Sequence, residues 1–80
     1  MTLSATIPTR NESRAKFKEL SGRWVSNDRV RDIATNEGLF LSNWGMRMVF
    51  LKMVENHNEY DSINDIIFDS INDYREEYNK

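Results

Sequence analysis

Apolar and polar positions alternate with a helical period over most of the chain, and the pattern divides it into four segments. In the first, Thr9-Arg10-Asn11-Glu12 has the spacing of a capping box, in which the threonine hydroxyl accepts from an amide and the glutamate reaches back. Ser13, Phe17, Leu20 and Trp24 continue one narrow face, Glu12 and Lys16 stand four apart in the favourable order, and Gly22 supplies a left-handed stop. This predicts a helix over 10–21. Ser26-Asn27-Asp28 then offers three capping residues before Val30, Ile33 and Ala34, and Gly38 with Leu39 matches a glycine C-cap with its apolar contact, which predicts a second helix over 28–37.

Ser42 caps the third segment, predicted over 43–56, in which eight of the eleven residues from Trp44 to Val54 are apolar. Trp44, Met48 and Leu51 lie on one side and Met46, Phe50 and Met53 nearly opposite, so neither side is given to water and this helix is expected at the centre. A strand over Met48 to Val54 is the alternative that a short apolar run leaves open. After a polar break at 56–59, Asp61 or Ser62 caps the longest periodic segment, predicted as helix over 62–78. Tyr60, Ile63, Ile67, Ile71, Tyr74 and Tyr78 form its stripe, flanked by Ile66 and Phe68 at about 100° on either side. The order Ile67, Ile71, Tyr74, Tyr78 also follows a coiled-coil seam for two heptads. Asp61-Ser62-Ile63-Asn64-Asp65 recurs as Asp69-Ser70-Ile71-Asn72-Asp73, but eight residues turn a helix through about 80°, so the copies face different ways and make no structural repeat. The expected fold is all-α: a compact four-helix domain over 9–80 with a buried central third helix and a long amphipathic C-terminal helix, preceded by a flexible arm over 1–8 that either pins Leu3 and Ile7 to the body or stays disordered.

Charge changes this picture. Residues 1–54 carry nine Arg/Lys against five Asp/Glu, and residues 55–80 carry two against eight, so a net charge of −2 divides into +4 and −6. Either the terminal helix lies on the basic part and neutralises it, or the two halves face separate partners. Eighty residues bury a small core, which makes association with a partner or a second copy a reasonable expectation. Zero cysteines exclude disulfides, thiolate catalysis and Cys-ligated zinc and fit a reducing cytoplasm. No apolar run is long enough to span a bilayer, the first residues lack a charged signal-like region, and Thr2 stands where myristoylation needs glycine, so no membrane role is expected.

Catalytic chemistry finds little here. The sole histidine, His57, sits in a polar loop with no serine elbow and no glycine-rich segment to hold an oxyanion or phosphate. His57, Asp61 and Asp65 are spaced at i, i+4, i+8, but a helix start falls between them and the aspartates serve as caps, so neither metal nor cofactor is expected. For nucleic acid, the second and third helices joined through Gly38 allow a helix-turn-helix reading, with Arg29, Arg31, Ser42, Asn43 and Arg47 at the DNA and the last helix as dimer seam. Arg10, Arg14, Lys16, Lys18 and Arg23 add a phosphate-contacting surface. Met46, Phe50 and Met53 oppose that reading by occupying much of the side that a recognition helix gives to the groove, and Trp44 and Gly45 stand where polar or branched residues are expected.

Protein contact is the reading the residues favour. Asp61, Asp65, Asp69 and Asp73 repeat at i+4, a spacing at which like charges oppose one another and which suits a basic partner surface. Tyr74 and Tyr78 are amphipathic anchors, and Met46, Phe50 and Met53 are expected as an exposed edge of the third helix. The expected function is therefore a small non-catalytic regulatory or inhibitory protein, a homodimer, that works through these residues. A DNA-binding regulator is the second reading and a structural subunit the third. In its size, its nine asparagines and its lack of a catalytic signature the chain resembles small accessory proteins of phages and mobile elements, some of which block host or defence proteins. That resemblance implies inhibition by contact and carries over no functional residue.

Overall fold

The computed structural model describes residues 7–58 and 62–78, and within them four helices follow in order: α1 Arg10–Ser21, α2 Asn27–Asn36, α3 Asn43–Glu55 and α4 Ile63–Tyr78. Each start has a local cause. The capping box at α1 is complete: the Thr9 N–H donates to Glu12 Oε1 (2.7 Å) and the Glu12 N–H donates to Thr9 Oγ1 (3.1 Å). Ser26 and Ser42 cap α2 and α3 by accepting from the amides of Arg29 and Gly45 at 3.1 Å each. Gly22, with φ 75°, ends α1, and Gly38, with φ 78°, ends α2 in a Schellman arrangement in which the Leu39 and Gly38 amides donate to the Ala34 and Thr35 carbonyls. The capping role expected of Asp61 lies outside the described residues. Ser62 accepts from the Ile66 amide through its own backbone carbonyl.

Helix α3 is the centre. Met46, Val49, Phe50 and Met53 are fully buried and Met48 nearly so, which realises the helix reading of that apolar run over the strand. α1 and α4 both pack on α3, α2 packs on α4 and more lightly on α3, and α1 and α4 do not pack on each other. One core unites them, with Phe17 from α1, Val30 and Ala34 from α2, and Ile63, Ile66, Ile67 and Ile71 from α4 closing on Phe50 and its neighbours. The shortest dimension of the molecule is 20 Å, which is about two helix diameters. Among the described residues no further layer covers the outer faces of α1 and α4.

Polar links hold the ends of this stack. Asn56, buried just past α3, donates from Nδ2 to Ser70 Oγ (3.3 Å) and Asp73 Oδ2 (3.1 Å) of α4. Arg47 of α3 donates from Nε to the Pro8 carbonyl at 2.7 Å and from Nη2 to that of Ile7. The chain entering α1 is thus pinned through its backbone, while the Ile7 side chain, expected to do the pinning, is exposed; Leu3 lies outside the described residues. Gly45 makes room for Tyr74: a Cβ on it would lie 3.0 Å from the Tyr74 hydroxyl and 3.2 Å from Leu41 Cδ2.

Two apolar positions depart from the expected stripes. Leu20, about 60° round α1 from the buried Phe17, is exposed, and so is Trp24, because the left-handed turn at Gly22 takes it out of helical register and puts Val25 into the core instead. Phe50→Ala should lower the unfolding free energy in urea by about 3–5 kcal/mol, a large share of the roughly 4–12 kcal/mol available to a domain of this size; a loss below about 1 kcal/mol would contradict the central placement of α3.

Candidate functional site

The charge division of the sequence survives folding as two separate faces. α1 holds four Arg/Lys against two Glu, and α4 holds five Asp/Glu against one Arg. Because these helices pack on different sides of α3 and not on each other, the acidic helix does not lie over the basic one. The acidic helix does lie on the basic part of the chain, through α3 and α2 and the Lys52–Glu77 pair, but it leaves the cations of α1 uncovered.

On α4 the isoleucines Ile63, Ile66, Ile67 and Ile71 turn inward and are buried. At 100° per residue Asp65, Asp69, Asn72 and Glu76 then fall within about 60° of one another on the outward side. Asp65 and Glu76 are exposed and Asp69 half-buried. Phe68 stands at the edge of this ridge with 42% of its surface open. It lines a groove between the end of α2 and the start of α4 together with Ile33, Asn36, Glu37, Asn64 and Asp65. Glu37, the cap residue after α2, and Asp65 of α4 bring two carboxylates to the groove's lining, and Arg29 donates from Nε (3.1 Å) and Nη2 (2.8 Å) to Asn64 Oδ1 of the same lining. An apolar ring between two carboxylates can seat the stem and head of a cationic side chain, by ring contact and ion pairing together.

The C-terminal end of α4 has a different character. Tyr74 and Tyr78 meet Trp44 of α3, with ring centroids 6.2 and 5.0 Å from the indole and the Tyr78 pair edge-on. Lys52 of α3 donates to Glu77 and lies 3.8 Å from Glu55. The bond to Glu77 raises the Lys52 ammonium above the usual lysine range, against its burial, and the same carboxylate, accepting from the Tyr78 hydroxyl, pushes that phenol up. These groups fasten α4 to α3.

Several expected site residues therefore have other duties. Met46, Phe50 and Met53 are not an exposed edge: all three are fully buried, because α1 and α4 cover α3 from two sides. Asp73 is half-buried and accepts from Asn56, which removes it from the free acidic ridge, and Asp61 lies outside the described residues. Tyr74 is partly buried over Gly45, and Tyr78 is 43% open but held against Trp44. The seam that suggested a dimer is taken up within the molecule, since Ile67 and Ile71 have no exposed surface. Among the helix-turn-helix residues, Arg29 is held by Asn64, Arg47 by the Ile7 and Pro8 carbonyls, and Ser42 by its cap; Arg31 is half-buried and Asn43 exposed. The opening of α3 is also packed at Gly45 by Tyr74, which takes the turn a recognition helix presents to DNA.

His57 is engaged as well: its Nδ1–H donates to the Val54 carbonyl at 2.8 Å, closing the end of α3. Among the described residues no group of three His, Cys, Asp or Glu is placed to hold a metal ion, and no helix is long and apolar enough to cross a membrane. Of the groove residues only Asp65 was a candidate in the sequence; Ile33, Asn36, Glu37, Asn64 and Phe68 were not. Phe68 carried a signal, since it sits about 100° off the apolar stripe of α4.

Compared with known protein families, with curated proteins and with solved structures, the chain gives no match. Its functional reading rests on its own residues.

The Lys52 ammonium, with its pKa raised on folding, contributes stability that is fully present below the ordinary lysine value and lost as pH rises through the raised one. Lys52→Met should accordingly lower the thermal midpoint at pH 7, and the gap from the parent should shrink as pH climbs beyond the lysine range in a melting series. A gap constant with pH would show that Lys52 acts by packing alone.

Proposed function

We propose that this protein is a small non-catalytic regulator or inhibitor that acts by protein contact, with the outward face of α4 and the adjoining edge of α2 as its binding surface. The observation that carries this reading is Phe68: an aromatic ring on the longest helix, 42% open, in a groove flanked by Glu37 and Asp65. Burying such a ring inside its own chain is favourable, and α4 does bury four isoleucines, so a ring left open beside uncompensated carboxylates suits an external partner. The partner is a protein with a basic surface, whose Arg or Lys stem lies along Phe68 while its head meets Asp65 or Glu37. Asp69 and Glu76 extend the acidic ridge beyond the groove and speed encounter by long-range attraction, a contribution that salt screens.

The contact alone would suffice for regulation. A small chain that covers a basic surface excludes whatever anionic ligand that surface otherwise binds, and it needs no chemistry to do so. This is consistent with the inhibitor-like style of the sequence.

The test is capture from the native host followed by titration calorimetry with the purified partner. Phe68→Ala should weaken binding by at least about tenfold, as loss of an interface anchor does. Asp65→Asn with Glu37→Gln should weaken it and flatten its salt dependence, with the thermal midpoint little changed in either variant. A partner that binds both variants as it binds the parent would remove this face from the function.

A further inference from the structure

A second surface, on α1 and remote in chemistry from the acidic groove, has the makings of a nucleic-acid track. At 100° per residue Arg10, Arg14 and Lys18 lie on one stripe of α1 about 80° wide, and the two glutamates of that helix, Glu12 and Glu19, lie about 100° or more away from it. No acidic residue falls on the stripe itself, and the Glu12 carboxylate reaches back to the Thr9 amide at its start. At its C-terminal end stands Trp24, 55% open, with the Arg14 guanidinium 4.5 Å from its ring centroid and the Lys18 ammonium 6.0 Å away. Arg14 is itself fixed, donating from Nη1 to Asn27 Oδ1 (3.0 Å) and from Nη2 to Asn11 Oδ1 (2.9 Å), and each of these nitrogens keeps a second N–H for a phosphate. Arg14 and Lys18 are one turn apart on α1, so both approach the indole from the helix side, and Val25, buried next door, anchors the connector that holds Trp24 outward.

The other end of the stripe leads to a second tryptophan. Arg10 lines a groove with Thr9, Asn43, Trp44 and Arg47, and Trp44 is 45% open there. Two open indoles are thus joined by a run of cations. Unstacked bases seek such rings, and phosphates seek the charges between them; a duplex, whose bases are already stacked, gains only the second interaction.

We propose that this track binds single-stranded nucleic acid, with Trp24 as a stacking platform and Arg10, Arg14 and Lys18 as phosphate contacts. The proposal is independent of the groove at Phe68, with which the track shares no lining residue. An acidic polypeptide is the competing occupant, and it offers carboxylates without bases.

Fluorescence anisotropy decides the matter, with a labelled oligothymidylate of about twelve nucleotides at low salt, the same length as duplex, inorganic polyphosphate and polyglutamate. The expected result is binding of the single strand in preference to the duplex, weakening with salt at a log–log slope of roughly −2 for three phosphate contacts. Trp24→Ala should reduce that affinity by about 5- to 100-fold and leave polyphosphate binding unchanged, as loss of stacking without loss of charge requires. Arg14→Gln should weaken both ligands. Because Trp24 is exposed, circular dichroism of Trp24→Ala should match the parent. A folded parent that ignores the oligonucleotide, a Trp24→Ala protein that binds it as the parent does, or Trp24-dependent binding of polyglutamate alone would each overturn the proposal.

Discussion

The burial of α3 is the constraint on which the remainder of the structure depends. A helix with apolar residues on nearly every side, Met46, Met48, Val49, Phe50 and Met53 among them, has to be covered from more than one direction. In so short a chain only the neighbouring helices can do this, and α1 and α4 take different sides of it. That division settles the electrostatics as well. The basic helix and the acidic helix are held apart by the apolar one between them, in a molecule only two helices thick.

Opposite charges kept apart in one small fold leave each face with unmet attraction. Bonds within the fold use part of it: Lys52 meets Glu77, Asn56 meets Asp73, and Lys16 meets Glu19 along α1. Among the charges that remain, Glu37 and Asp65 lie at the groove of Phe68 with Asp69 and Glu76 further along α4, and Arg10, Arg14 and Lys18 lie between Trp24 and Trp44. In each case open aromatic surface lies beside charge of one sign. That combination gives both the area and the direction that recognition needs.

The helices were legible in the sequence because their ends are set by local chemistry. Thr9 with Glu12, Ser26, Ser42, Gly22 and Gly38 act on amides and carbonyls within a turn of themselves, so their spacing alone places the boundaries to within a residue or so. The site was less legible, because a helical period says which residues share a face and not what covers that face. Met46, Phe50 and Met53 share a side with other apolar residues whether that side meets water or α4, and only the packing decides. Phe68 and Ile66 flank the stripe of α4 symmetrically in sequence, yet Ile66 is buried and Phe68 open, because Ile66 turns toward the core and Phe68 toward the edge of α2. Asp73 reads as one rung of an acidic ladder until Asn56, seventeen residues earlier in the chain, is seen to bond it. Trp24 reads as core by its spacing from Leu20, but a left-handed glycine between them ends the register on which that spacing depends.

The separation of α1 from α4 is open to direct measurement by zero-length carbodiimide cross-linking of the dilute monomer, read by mass spectrometry of the joined peptides. Lys52 should join to Glu77 and Lys16 to Glu19, which lie in contact, and neither Lys16 nor Lys18 should join to Asp65, Asp69 or Glu76. Intramolecular joins from Lys16 or Lys18 to those α4 carboxylates would mean that the basic and acidic helices lie against each other, and that the two charged faces cancel within the molecule.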